Sequence, residues 1–189
     1  MNGILNNLSG RSNKFYLSLT AISLIFTLLL NFYAKISECS LIFTFLALTL
    51  NVISSLHGTK KAMKSIILSV SISFALLWNL KYYIQGELIS GLVFASLLSV
   101  LASSYIGLNL FSRLKLKYNF YVSNFISLLA YAIIDGAVMS LFFINIFSVN
   151  RVFSIFAYEV TYKCVYGFSA CVCLFVLSYL HKQFKTVQN

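Results

Sequence analysis

The sequence predicts an all-α fold, a polytopic membrane helix bundle of about six transmembrane helices with both termini cytoplasmic. Three observations carry this. Hydrophobic residues fill 60% of the 189 positions and charged residues only 10%, against roughly 25% in soluble domains. Apolar runs of about 20 residues recur along the chain, the length that crosses ~30 Å of hydrocarbon. Basic residues gather in alternate connections between those runs, the pattern that orients membrane helices. The whole chain, 1–189, reads as one integral membrane domain with no room for a sizeable soluble one.

The first run covers 15–34. Arg11 and Lys14 precede it as in a signal sequence, but it exceeds the 7–15 residues of a signal core and no small-residue cleavage site closes it. It is expected to be the first membrane helix. Further runs follow at 39–56, 65–85, 88–110, 122–146 and 155–180. Connections are short, so consecutive helices should be antiparallel neighbours. Proline is absent, which removes ring-induced kinks.

Orientation follows from the cations. One set of connections and ends holds Arg11, Lys14, Lys60, Lys61, Lys64, Arg113, Lys115, Lys117, Lys182 and Lys185; the opposite set holds only Lys35, Lys81 and Arg151. Cytoplasmic loops carry the excess, which assigns the first set to the cytoplasm. Tyr16, Tyr33, Tyr82, Tyr83, Tyr118, Tyr121, Tyr158 and Tyr179 fall near run ends, as an interfacial aromatic belt does. The net charge of +10 is spread between apolar runs and not along one arm, so no nucleic-acid partner is expected.

Charge within the apolar runs is the informative departure, because it is costly in hydrocarbon. Asp135 sits mid-way along the fifth run. Glu159 and Lys163 are four apart on the sixth and share a helix face; Lys163 either pairs locally with Glu159 or faces Asp135 across a polar cavity. Asn31 and Asn51 add amides that can donate and accept. Ser54, Ser55, Ser96, Ser99, Ser103, Ser104, Ser123 and Ser127 read mostly as small residues for close helix packing. Cys39, Cys164, Cys171 and Cys173 lack the paired spacing of a zinc site and read as reduced thiols, so no metal and no cofactor is expected. No H-E-x-x-H, G-x-S-x-G, P-loop or dinucleotide fingerprint occurs, and His57 and His181 lie at the ends of runs. The chain is therefore not expected to be an enzyme; transport, or service as a membrane subunit of a larger complex, remains.

The order of these residues resembles the queuosine precursor transporter family over most of the chain. The stretch L-T-L-N-V-I-S-S-L-H-G-T-K-K-A-M-K carries Asn51 where the family shows Asp and Gly58 where it shows Gly, followed by Lys60, Lys61 and Lys64. Phe111 to Lys117, F-S-R-L-K-L-K, is similar to the family's Phe-x-Arg-Leu-Lys loop. Ser127, Asp135, Phe142 and Phe143 resemble its fifth helix, and Glu159-Val-Thr-Tyr-Lys163 its sixth. Asn31 also matches a family Asn. Departures fall at Asn51, which lacks the family's charge, and at Ser55, Gly91, Ser104 and Ala132.

The resemblance implies import of a 7-deazaguanine precursor of queuosine, a modified tRNA base, across a bacterial inner (plasma) membrane. It implies a substrate site of Asn31, Asn51, Ser127, Asp135, Phe142, Glu159 and Lys163. Asp135 would accept two N–H groups of the guanine-like edge or partner an aminomethyl cation, the amides would hold other heteroatoms, and Phe142 would stack on the ring. The partners are then a small deazapurine and the lipid bilayer, and a homo-oligomer is compatible. The alternative is a non-transporting subunit, or a vitamin-binding component working with an ATPase partner.

Overall fold

A computed structural model describes residues 2–33, 35–78, 82–84, 87–89 and 91–187, with side chains described for 13–33, 35–78 and 91–176. The side chains of Arg11, Tyr82, Tyr83, Tyr179, His181, Lys182 and Lys185, and the whole of Lys81, lie outside the described residues.

Among the described residues six helices make the fold: α1 (Asn2–Leu29), α2 (Ile36–His57), α3 (Thr59–Leu77), α4 (Leu92–Leu114), α5 (Phe120–Phe143) and α6 (Val149–Val187). Among the described residues, α2, α4, α5 and the Val149–Val176 part of α6 are long and apolar enough to cross a membrane; the apolar part of α1, Asn13–Leu29, is shorter. The start of α3 carries Lys60, Lys61 and Lys64, which dilutes its apolar length.

Several boundaries differ from the sequence expectation: α1 begins at Asn2 and not at 15, and α3 at Thr59 and not at 65. The first helix stops at Leu29 and not near 34. The chain tightens there, with Asn31 N–H donating to Leu28 O and Phe32 N–H to Leu29 O, both at 3.0 Å, the i to i+3 closure common at helix ends. The third helix stops at Leu77, and 82–84 and 87–89 pair as a short antiparallel ladder, β1 (Tyr82–Ile84) with β2 (Glu87–Ile89). Tyr82, Tyr83, Ile84 and Ile89 are aromatic or β-branched, types that favour strands. The sixth helix begins at Val149, six residues before the expected 155.

The turn between α2 and α3 is a single residue. Gly58 adopts φ 89°, ψ 155°, a region that is essentially glycine-only. At the other end of the bundle Gly91 opens α4 at φ 84°, ψ −1°, the left-handed conformation that glycine adopts without strain.

The bundle is built around α2, which packs against all five other helices. The remaining five follow one another around it in the order α1, α3, α4, α5, α6. Burial agrees: Leu46, Ala47, Leu50, Asn51 and Ile53 of α2 are all closed off from the outside. The outer faces stay apolar, with Leu76, Phe94, Leu141, Phe153, Phe168 and Phe175 exposed, as lipid contact requires.

Hydroxyls tie α1 to α3. Thr20 Oγ1 and Ser23 Oγ lie 2.9 Å from Ser65 Oγ and Ser69 Oγ respectively, and Ser65 donates to Tyr16 Oη at 3.0 Å. Contacts that advance together along both helices make them parallel, and small residues let them approach closely. Gly107 does the same between α4 and α5, since a Cβ there would collide with the Tyr131 ring.

The helices alternate in direction, so the connections sort into two ends. Lys115 Nζ donates to Ser55 O at 3.0 Å and Ser55 Oγ at 2.8 Å, and Tyr16 donates to Lys61 O at 3.2 Å. The Tyr16 level of α1, the α2–α3 turn and the α4–α5 connection therefore share one end, the lysine-rich one.

Candidate functional site

A cavity of about 690 Å³ opens at the other end, within the roughly 300–1,000 Å³ of small-molecule sites. Its rim comes from the α1–α2 connection (Phe32, Tyr33), the start of α4 (Leu92), the α5–α6 connection (Phe147) and the first turn of α6 (Arg151). Its floor is Ser99 of α4, Asp135 of α5, and Glu159 and Lys163 of α6, with Phe43 of α2 and Asn31 beside them. Helical spacing brings these groups inward. Lys163, Gly167 and Cys171 form a buried stripe four residues apart on α6, and Asp135 continues the buried Ser127–Tyr131 row of α5.

The floor is one charged cluster. Lys163 Nζ donates to both Asp135 Oδ2 and Glu159 Oε1, and Ser99 Oγ donates to Asp135 Oδ1. Lys163 pairs locally with Glu159 as one reading of the sequence had it, and it also meets Asp135, in direct contact and not across a cavity. Its Nζ also lies 4.2 Å from the centroid of the Phe43 ring, a cation–π contact. Lys163 and Asp135 are 4% and 5% exposed, so both charges are withdrawn from lipid and neutralised within the bundle.

Asn31 lines the cavity, and its Nδ2 donates to Thr27 O at 3.0 Å. That bond satisfies one of the carbonyls left without a partner at the end of α1. Asn31 is thus a helix cap with an edge on the cavity, not an amide inside the first helix.

Three residues from the sequence-derived site are not among the cavity's lining residues: Asn51, Ser127 and Phe142. Asn51 Nδ2 donates to Asn124 Oδ1 at 2.7 Å and Ser127 Oγ at 2.8 Å. Tyr131 Oη donates to Asn51 Oδ1 at 3.5 Å, and Asn124 Nδ2 donates to Cys171 Sγ at 3.3 Å. These groups form a closed knot between α2, α5 and α6. The Phe43 ring, edge-on to Tyr131 at 6.4 Å and under the Lys163 ammonium, lies between knot and floor. Phe142 points instead toward the start of α4, where a Cβ on Gly91 would sit 3.7 Å from its ring; its neighbour Phe143 lines the cavity.

Sequence reasoning missed several lining residues. Ser96 and Ser99 are three apart on α4, a spacing that places them on one face, but many serines in this chain share that spacing. Cys39, Phe143, Phe147 and Arg151 carry no signal that separates them from packing or interfacial residues. Asn124 did carry one, since it is an amide within an apolar run just as Asn51 is. The thiols are unpaired with one another: Cys171 is buried against Asn124, whereas Cys173 faces outward.

In comparisons with known proteins, no family model, no curated protein and no solved structure matches the chain.

Proposed function

We propose that this chain is a multi-pass membrane transporter, a carrier and not an enzyme, whose solute binds in the cavity above Asp135, Glu159 and Lys163. The observation that carries the reading is the buried charged floor of a solute-sized cavity. Charged groups at membrane depth mark substrate or ion pathways, and a purely structural ion pair has no need of an adjoining cavity. The lysine-rich end is cytoplasmic on the positive-inside pattern, so the cavity opens to the outside, which suits the import that the resemblance implies.

The resemblance to queuosine precursor transporters supplies the solute, a 7-deazaguanine, and a bacterial plasma membrane as the setting. The chemistry of the site is compatible. An ionised carboxylate has about four lone-pair sites; Ser99 and Lys163 occupy one on each oxygen of Asp135, which leaves acceptor capacity for a guanine-like edge. Phe143 and Phe147 offer ring faces in the cavity wall, in the stacking role the resemblance implies for Phe142.

Uptake of labelled 7-deazaguanine by cells unable to make it, and the queuosine content of their tRNA, test the reading with and without this protein. Asp135→Asn should lower uptake at least about tenfold, because an accepting oxygen becomes a donor facing a donor, and a hydrogen bond to a charged group is worth about 1.5–3 kcal/mol. The fold should persist, since the amide can turn its oxygen to Lys163 and its N–H to Ser99 Oγ. Normal uptake at normal protein level would remove Asp135 from the solute path.

Orientation has its own test. With Cys164, Cys171 and Cys173 replaced, a membrane-impermeant thiol reagent should label Cys39, which lines the cavity, in intact cells, and added solute should slow the labelling. Labelling only after permeabilisation would reverse the orientation.

A further inference from the structure

The ring of helices around α2 is open at one place. Among the described residues α1 packs on α3, α3 on α4, α4 on α5 and α5 on α6, but no comparable packing joins α6 to α1. The central helix shows through the gap. Leu41, Phe45 and Leu56 of α2 are exposed and Thr49 and Val52 half-buried, whereas Leu46, Leu50 and Ile53 are closed off. Spacings of four, four, three and four along the chain put the five open residues in one stripe. The Phe45 ring stacks on Phe26 at 6.0 Å, which sets α1 as one wall of an apolar groove; α6 is the other. At the lysine-rich end these same two helices carry Arg11 and Lys14 on α1, and Lys182 and Lys185 on the last turns of α6. All four acidic residues lie elsewhere: Glu38 opens α2, Glu87 is in β2, and Asp135 and Glu159 belong to the cavity floor. Of the other cations at that end, Lys61 sits over the Tyr16 ring at 5.5 Å and Lys115 is held by Ser55. Lys60 and Lys64 are on α3, which α1 separates from the groove, and Arg113 and Lys117 are at the α4–α5 connection, beyond α6.

We propose that an anionic phospholipid of the cytoplasmic leaflet occupies this groove, its headgroup at the cations of α1 and α6 and an acyl chain along Phe45, Thr49 and Leu56. The inference goes beyond the transport reading and is independent of what the cavity carries. Basic residues beside a membrane helix attract anionic headgroups, and lysine stems lie along apolar surface while the ammonium stays at the interface. Thr49 is eight residues before His57, about 12 Å along a helix at 1.5 Å per residue. That is within reach of a chain from the cytoplasmic leaflet, which spans half of ~30 Å of hydrocarbon. A second copy of the protein fits the groove less well. A two-fold interface sets the same patch on both subunits, so it would bring the cations of the two chain ends against their own kind with no acidic residue at that end to offset them.

Fluorescence quenching in vesicles tests this. The single tryptophan, Trp78, is exposed at the end of α3, so Trp78→Phe with Thr49→Trp leaves one reporter, in the groove. In phosphatidylcholine vesicles, phosphatidylglycerol with brominated chains should quench that reporter with a relative binding constant at least about tenfold above that of brominated phosphatidylcholine, the ratio expected when several cations each favour an anionic headgroup. Adding Lys14→Gln and Lys182→Gln should lower the ratio at least about threefold. Lys60→Gln with Lys64→Gln removes the same charge from α3 and should change it less than about twofold. Equal quenching by the two lipids would overturn the proposal and leave ordinary bilayer lipid against α2. Quenching by neither would overturn it in favour of a second copy covering the groove. A preference that survives loss of Lys14 and Lys182 but not of Lys60 and Lys64 would overturn the headgroup position. Where the reporter variant does not insert, thermal unfolding of the unsubstituted protein in detergent decides. Added phosphatidylglycerol should raise the unfolding temperature more than phosphatidylcholine with the same chains, and equal effects would overturn the proposal.

Discussion

Asp135 and Asn124 stand on the same helix, three turns apart, and each is the centre of a buried polar region. The regions differ in what surrounds them. Around Asn124 the groups are neutral, the donors and acceptors are matched between α2, α5 and α6, and the members lie outside the cavity wall. Around Asp135 the groups are charged, three helices contribute, and one side is open to 690 Å³ of space. A closed neutral knot fixes how helices meet, since each polar group in a membrane interior needs a partner. A charged cluster beside a cavity can exchange a partner for a solute. Adjacency to space, more than polarity, separates the two, and Phe43 forms the apolar layer between them.

Lys163→Met should produce the largest effect. It leaves Asp135 and Glu159 facing each other without the cation between them, and breaking a buried ion pair from one side costs about 3–5 kcal/mol. Thermal unfolding in detergent should report that loss. Adding Asp135→Asn and Glu159→Gln to Lys163→Met should recover most of the stability, because the charges go together, while uptake stays lost. A Lys163→Met protein as stable as the parent would mean that the cluster contributes no structural pairing.

Asn51→Ala probes the knot and should be milder. It removes the donor to Asn124 and Ser127, and hydrogen bonds between membrane helices are worth about 1–2 kcal/mol or less. The unfolding temperature should fall while solute affinity stays within about twofold, because Asn51 is behind the Phe43 layer. A severalfold loss of affinity at unchanged stability would return Asn51 to the solute site and dissolve the distinction drawn here.

The two regions were not equally legible in the sequence. Asp135, Glu159 and Lys163 are conspicuous because charge is rare in apolar runs, and helical periodicity puts Glu159 beside Lys163. The helix count was equally open to reading, since length and hydropathy are local properties. Asn51 and Ser127 are polar in apolar runs too, and nothing local says that their partners are each other and not a solute. That depends on α2 lying at the bundle axis, a tertiary fact. Phe142 and Phe143 are one residue apart, about 100° around a helix at 3.6 residues per turn, and only packing decides which faces the cavity. The ladder at 82–89 was hidden because hydropathy is similar for a strand and for the end of a helix.

That last pair gives the smallest expected effect and the finest test of where the cavity wall runs. Phe142 packs beside Gly91 and sits 5.9 Å, centroid to centroid, from Phe143. It is absent from the cavity lining, whereas Phe143 is part of it. Replacing either by Leu keeps an apolar side chain of smaller volume, a change that usually costs under about 1.5 kcal/mol when the site can repack. Stability should therefore respond little and similarly in the two variants. Function should not: Phe143→Leu removes an aromatic face, and stacked rings add about 0.5–1.5 kcal/mol beyond area burial, so the half-saturating solute concentration should rise severalfold. Phe142→Leu should leave it within about twofold. The reverse order, with Phe142 the sensitive residue in concentration-dependent uptake, would put the functional face of α5 about 100° from the one described by the cavity and would restore the sequence-derived choice.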